Sequence, residues 1–128
     1  QGEGVKDAER WLAYAGGAPL RALDYRDNAP AVERLLQAIR ARTPIIVDER
    51  QELEALAEAL QKYALDRAVA AFGMPELFRT EGAGRPGQAR EWLSYAREMG
   101  RNRALARHPL NTRLFAAALL STMPPLER

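Results

Sequence analysis

At 128 residues with a formal net charge of +2, the chain is long enough for one domain that buries roughly two-thirds of its unfolded surface. Its net charge is too small to imply a nucleic-acid partner. It has no cysteine, which excludes a disulfide framework and thiolate zinc sites. No apolar run approaches the roughly 18–20 residues needed to span a bilayer, and no signal-peptide pattern opens the sequence, so a cytoplasmic protein is expected.

Ala (24) and Leu (17) far outnumber Val plus Ile (7) and Thr (4). Good helix formers dominate and strand formers are scarce, which predicts an all-α chain. Residues 1–84 hold 11 Lys/Arg against 14 Asp/Glu, whereas residues 85–128 hold 8 against 3. This asymmetry permits a basic face on the C-terminal half.

In chain order, residues 1–5 read as a lead-in. Asp7 is placed to cap a first helix running to Ala15, with Ala8, Trp11, Leu12 and Ala15 inward. Gly16 and Gly17 end it, since one of them can take the left-handed conformation. Pro19 suits the first turn of a second helix, over 19–26, that buries Leu20 and Leu23. Asn28 is the expected N-cap of a third helix, with Pro30 in its first turn and Val32, Leu35, Leu36 and Ile39 inward. Thr43-Pro44 breaks that helix. Ile45-Ile46-Val47 fits either a strap or an irregular helical turn.

Residues 48–72 lie in the longest run without Gly or Pro in the chain. Asp48 with Gln51 resembles a capping box at its start. Leu53, Leu56 and Leu60 then form one helical stripe. From Tyr63 onward the apolar residues spread round the helix, leaving only Asp66 and Arg67 polar. Such a helix must be covered on more than one side, either as the pillar of a bundle or by a neighbouring chain. Tyr63, Leu65, Val69 and Phe72 are therefore the candidate interface residues.

Gly73-Met74-Pro75 ends the long helix, and residues 76–78 fit one helical turn. Residues 80–87 read as an exposed glycine-rich loop. A fifth helix, over 88–107, points Ala89, Trp92, Leu93, Ala96 and Met99 inward. His108-Pro109 ends it, because a residue before proline avoids the α region. Asn111 caps a last helix over 112–122 that buries Leu114, Phe115, Ala118 and Leu119, and Pro124-Pro125 closes the fold. The pattern predicts about six helices, a short helical hairpin followed by a compact helical bundle.

Motifs with chemistry attached are few. Gly82-Ala83-Gly84-Arg85-Pro86-Gly87 spells G-x-G-x-x-G, but no strand precedes it and Pro86 deletes a donor, so a surface loop is the better reading. Gly16-Gly17 before a helix start resembles an anion cradle, but Pro19 removes one N–H, and a C-cap role is favoured. His108 is the single histidine, with no nucleophile placed beside it, and an inter-helix corner is expected. Glu49, Glu52, Glu54 and Glu58 read as a solvated face. No catalytic, cofactor or metal constellation emerges. Arg90, Arg97 and Arg101 share a face of the fifth helix, with Arg103 and Arg107 beyond. Trp92 and Tyr95 lie between them, either as bases' stacking partners on a phosphate-tracking face or as core aromatics under solvated arginines.

Three segments together resemble a known family. They are Ala15-Gly16-Gly17-Ala18-Pro19-Leu20-Arg21-Ala22-Leu23, then Leu60-Gln61-Lys62-Tyr63, then His108-Pro109-Leu110-Asn111-Thr112-Arg113-Leu114-Phe115. In this order and spacing the chain is similar to the C-terminal part of the delta-prime subunit of bacterial DNA polymerase III, a clamp-loader protein of the AAA+ class. The family often has Trp where Tyr63 stands and a second Pro where Thr112 stands.

The resemblance implies that residues 1–27 are the end of an AAA+ lid and residues 28–128 a helical collar domain. Through such a collar, loader subunits join in a ring. The implied partners are the tau/gamma and delta subunits, with DNA met at most through the full complex and no membrane involved. It implies a non-enzymatic role in DNA replication and a bacterial cytoplasmic location. The sensor arginine of ATP-hydrolysing relatives falls at Leu20, with Arg21 one step displaced, which suits a subunit that is not itself an ATPase.

Overall fold

The computed structural model describes residues 2–82, 88–105 and 112–124. Among them it is all-helical: α1 (Gly2–Tyr14), α2 (Pro19–Asp27), α3 (Ala29–Ala41), α4 (Arg50–Ala71), α5 (Ala89–Leu105) and α6 (Thr112–Ser121). The long helix α4 is the pillar. α5 lies along it over the greatest length, and α3 and α6 pack against other parts of it, while α1 and α2 pack chiefly on each other.

Why α4 can be covered so widely follows from its sequence. Leu53, Leu56, Ala57, Ala59, Leu60, Tyr63, Ala64 and Ala68 are all buried. The small alanines let neighbouring backbones approach, and the leucines fill the space between them. Gly100 of α5 serves the same end, since a Cβ there would stand 3.0 Å from the Gln61 Nε2. Its helix-weakening cost, about 1 kcal/mol relative to Ala, accompanies close α4–α5 packing. Trp92, Tyr95, Ala96 and Met99 complete this core from α5, and Ala116 and Leu119 from α6.

The turn after α1 closes as a Schellman motif. The Gly17 N–H donates to Leu12 O (2.9 Å), the Gly16 N–H donates to Ala13 O (3.0 Å), and Gly16 has φ +69°. The expectation of a left-handed glycine cap therefore holds. Pro19 occupies the first turn of α2 and Pro30 that of α3. Asn28 stands between α2 and α3, but its Nδ2 donates backwards to Asp24 O (2.9 Å). It holds the expected N-cap position of α3, but its side chain serves the end of α2 and makes no capping bond to α3. Residues 43–48 carry no helix. They form a strap with Val47 buried and Ile46 exposed, held where the Thr112 hydroxyl donates to Val47 O (3.1 Å).

Several boundaries and faces differ from the sequence reading. α1 starts at Gly2, not at an Asp7 cap. The capping box of α4 sits one residue later than Asp48 and Gln51: the Glu52 carboxylate accepts the Glu49 N–H (3.1 Å). Residues 77–78 are a bend and not a helical turn. Leu12, Leu20, Leu23, Leu93 and Leu114, expected inward, are exposed. Ala8 and Ala118 are exposed as well. The inward positions are taken by Tyr14 on α1, Tyr95 on α5 and Ala116 on α6. On α5 Trp92, Ala96 and Met99 stay inward as expected and Tyr95 replaces Leu93, and on α1 Trp11 stays inward and Tyr14 replaces Leu12. Larger rings or closer backbone contacts gain more from burial there than a leucine would.

Candidate functional site

The two residues that break the apolar run of α4 are fully buried, each with 0% exposure. A charge so placed needs partners, and both find theirs in the segment that follows the helix, though the Arg67 Nε has none among the described residues. The Asp66 carboxylate accepts four hydrogen bonds. Its Oδ1 takes the N–H of Leu77 (2.7 Å) and of Phe78 (2.9 Å). Its Oδ2 takes the Thr80 N–H (2.9 Å) and the Thr80 hydroxyl (2.7 Å). The Arg67 guanidinium donates to the Gly82 carbonyl and to Glu76, and it lies 5.1 Å from the Tyr63 ring centre. Arg40 of α3 adds a bond to Thr80 O (2.7 Å).

Residues 76–82 are thereby bound down onto α4. The expectation of an exposed loop from residue 80 fails at Thr80, which is fully buried. Arg79 and Glu81 hold φ of 56° and 61°, a conformation that side chains adopt at a cost and that persists when surrounding contacts impose it. Gly82 is required by space: a Cβ on it would lie 2.5 Å from Tyr63 Cε1 and 2.7 Å from Arg67 Nε. The first glycine of the G-x-G-x-x-G string is thus a packing glycine under a carbonyl held by arginine. The rest of that string, residues 83–87, lies outside the described residues.

Four residues before Asp66, Lys62 reaches the other end of the fold. Its Nζ donates to Tyr14 O (2.5 Å) and to the Tyr25 hydroxyl (3.2 Å). The ammonium stands 4.0 Å and 4.5 Å from the centres of the Tyr14 and Tyr25 rings and 5.6 Å from that of Phe78. Glu58, one turn earlier, pairs with Lys62 (3.7 Å) and with Arg21 (2.7 Å). Lys62, of the second family-motif segment, thus contacts Tyr14 and Tyr25, which flank the first, and takes the last carbonyl of the helix that Gly16 and Gly17 terminate. Gln61 faces Gly100, and Tyr63 packs edge-on against Trp92 at 5.6 Å. From the third segment, Arg113 pairs with Asp48 (2.7 Å) while Leu114 is exposed. His108, Pro109, Leu110 and Asn111 lie outside the described residues.

The four candidate interface residues separate. Tyr63 is core at 4% exposure, Leu65 and Val69 are half-buried, and Phe72 is 67% exposed. Tyr63 is thus withdrawn from the interface set. Phe72 lines an open groove of about 1100 Å³ with Arg90, Glu91, Ser94 and Glu98 of α5 and Pro124. A second groove, about 700 Å³, runs between α3, the strap and the start of α4, lined by Val32, Leu35, Ile45 and Ile46.

Arg90, Arg97 and Arg101 are exposed on α5, with Arg101 paired to Glu98 (3.0 Å). The side chain of Arg103 and the whole of Arg107 lie outside the described residues. Trp92 and Tyr95 are buried, and the Tyr95 hydroxyl donates to Leu119 O (2.6 Å). Neither ring is available to stack on a base.

Burial raises the pKa of the Tyr95 phenol above its ordinary value, with the Arg42 charge pulling the other way. Tyr25 is pushed up to about 12, by burial first and then by its hydrogen bond to and the charge of Glu58, against Arg21. Both folded-state values exceed the unfolded ones. Their stabilisation is therefore complete below pH ~10 and is lost as pH rises, through about 12 for Tyr25 and at still higher pH for Tyr95. In an alkaline titration followed by tyrosinate absorbance, the latest step is expected to coincide with unfolding and to vanish in Tyr95→Phe.

Among the described residues, no group of three or more His, Cys, Asp or Glu could hold a metal ion. No helix there is long and apolar enough to cross a membrane. No family model, curated protein or solved structure matches this chain, so its function has to be argued from its own residues and geometry.

Proposed function

We propose that the chain is a non-catalytic helical assembly domain, and that it serves as the collar region of a delta-prime-like clamp-loader subunit, joining tau/gamma and delta partners. The observation that carries this reading is the division of the long helix. Its Tyr63 end is consumed by the core, while Phe72 at its C-terminal end stays exposed on a groove of mixed apolar and charged lining. The ordered motif segments carry the resemblance, and Lys62 of the second contacts Tyr14 and Tyr25 on either side of the first. Apolar burial against a partner drives association at ~25 cal/mol per Å², and a polar rim supplies specificity.

The test is association with the collar domains of tau/gamma and delta, followed by size-exclusion chromatography. Co-elution that weakens in Phe72→Glu is the expected result. A folded chain that ignores both partners at micromolar concentration overturns the reading.

A second reading rests on the exposed Arg90, Arg97 and Arg101: a nucleic-acid face on α5. It predicts DNA affinity that falls steeply with salt, by roughly 0.9 logarithmic units per phosphate contacted. The burial of Trp92 and Tyr95 takes stacking out of that mechanism and leaves only charge. Salt-insensitive or absent binding eliminates it.

A further inference from the structure

The α1–α2 hairpin holds its own shape. Its turn is closed by the Schellman bonds at Gly16 and Gly17, and Tyr14 and Tyr25 pack edge to face at 4.8 Å. α2 has no buried residue. The hairpin meets the bundle through the buried Trp11 and Tyr14, through the half-buried Ala22 and Tyr25 packed on the same core, and through polar points. Arg10 pairs with Glu33 of α3, Arg21 pairs with Glu58 of α4, and Lys62 of α4 enters between Tyr14 and Tyr25.

The Lys62 point differs from the other two. Schellman closure uses the carbonyls of Leu12 and Ala13, and Lys62 takes that of Tyr14, the next one. An ammonium at the carbonyl end of a helix meets the negative end of its dipole. At the same time its charge lies against two aromatic faces, an attraction that strengthens when water is excluded. Phe78 completes the cage, and a Cβ at Gly16 would lie 3.8 Å from its ring. The 76–82 segment that Asp66 holds therefore also borders the cage.

We infer that the α1–α2 hairpin is a docking arm that seats and unseats as one unit, and that Lys62 is its latch. The unit is self-closed, so release costs it no internal turn bonds. What release breaks includes the Lys62 cage, the Arg10–Glu33 and Arg21–Glu58 ion pairs and the packing of Trp11, Tyr14, Ala22 and Tyr25. This inference does not rest on the assembly reading, since it concerns motion within the chain.

Amide hydrogen exchange on the 128-residue chain tests it. Lys62→Met keeps the aliphatic stem in the cage and removes the charge and its donors. Tyr25→Phe keeps the ring and removes one acceptor, a milder change that retains the fold if the first does not. The expected result is exchange accelerated about tenfold or more across residues 7–27, with residues 50–71 and 89–101 little changed, in the pattern of a local opening unit. The acceleration is greater for Lys62→Met than for Tyr25→Phe. Unchanged exchange in 7–27, or acceleration shared equally by α4 and α5, overturns the latch and makes Lys62 an ordinary core contact.

Discussion

Asp66→Asn is expected to destabilise the fold by about 3–5 kcal/mol, seen in urea unfolding as a lower midpoint with little change in slope. The carboxylate accepts four hydrogen bonds at zero exposure. An amide at that position offers one acceptor oxygen, and its NH2 faces donors. Two charge-assisted bonds are lost, and at least one N–H of the 77–80 backbone is left buried without a partner. Thr80→Val removes only the hydroxyl bond and should cost about 1 kcal/mol. A difference between the two variants of less than ~1 kcal/mol would mean that the loop does not depend on the carboxylate. A domain of this kind has only about 5–15 kcal/mol in hand, so the loop anchor is a large fraction of the total.

Trp92→Ala should cost a similar amount, about 3–5 kcal/mol, with loss of the near-UV circular dichroism of the packed aromatics. Trp92 is 3% exposed. Its ring meets Tyr63 at 5.6 Å and Tyr95 at 6.0 Å, both edge to face, and Arg42 lies 5.9 Å from its centre. Removing it opens a cavity at the seam between α4 and α5 that rigid neighbours close only in part. The same variant checks that the ring is core and not a stacking surface. A base-stacking tryptophan would leave stability near the wild type and lower DNA affinity, whereas a core tryptophan does the reverse.

Fold class was legible because it follows from composition and punctuation. An Ala- and Leu-rich chain with few β-branched residues has little alternative to helix, and Gly16-Gly17, Pro19, Pro30 and Pro44 act locally, through their own dihedral limits. The inward face of α4 up to Leu60 was legible for the same reason, since a stripe at helical spacing has one side to bury. Leu20, Leu23, Leu93 and Leu114 were misread because side-chain type sets a preference for burial and not a neighbour. Whether a leucine is covered depends on which helix lies opposite, and these four stay exposed.

Asp66 and Arg67 mark the boundary between what could and could not be read. The sequence identifies them as the two polar residues in an apolar run, and by itself determines the helix that carries them. Polarity predicts only that they need partners, in water or in protein. Their partners lie 9 to 15 residues away along the chain, in a segment whose backbone is neither helix nor strand and has no periodicity to reveal it. The tertiary structure decided that the carboxylate would be filled by N–H groups of that segment and that Lys62 would reach the end of α1. The physical reason is that local spacing fixes which way a side chain points, whereas the cost of burying its charge is settled only by what the rest of the chain brings to meet it.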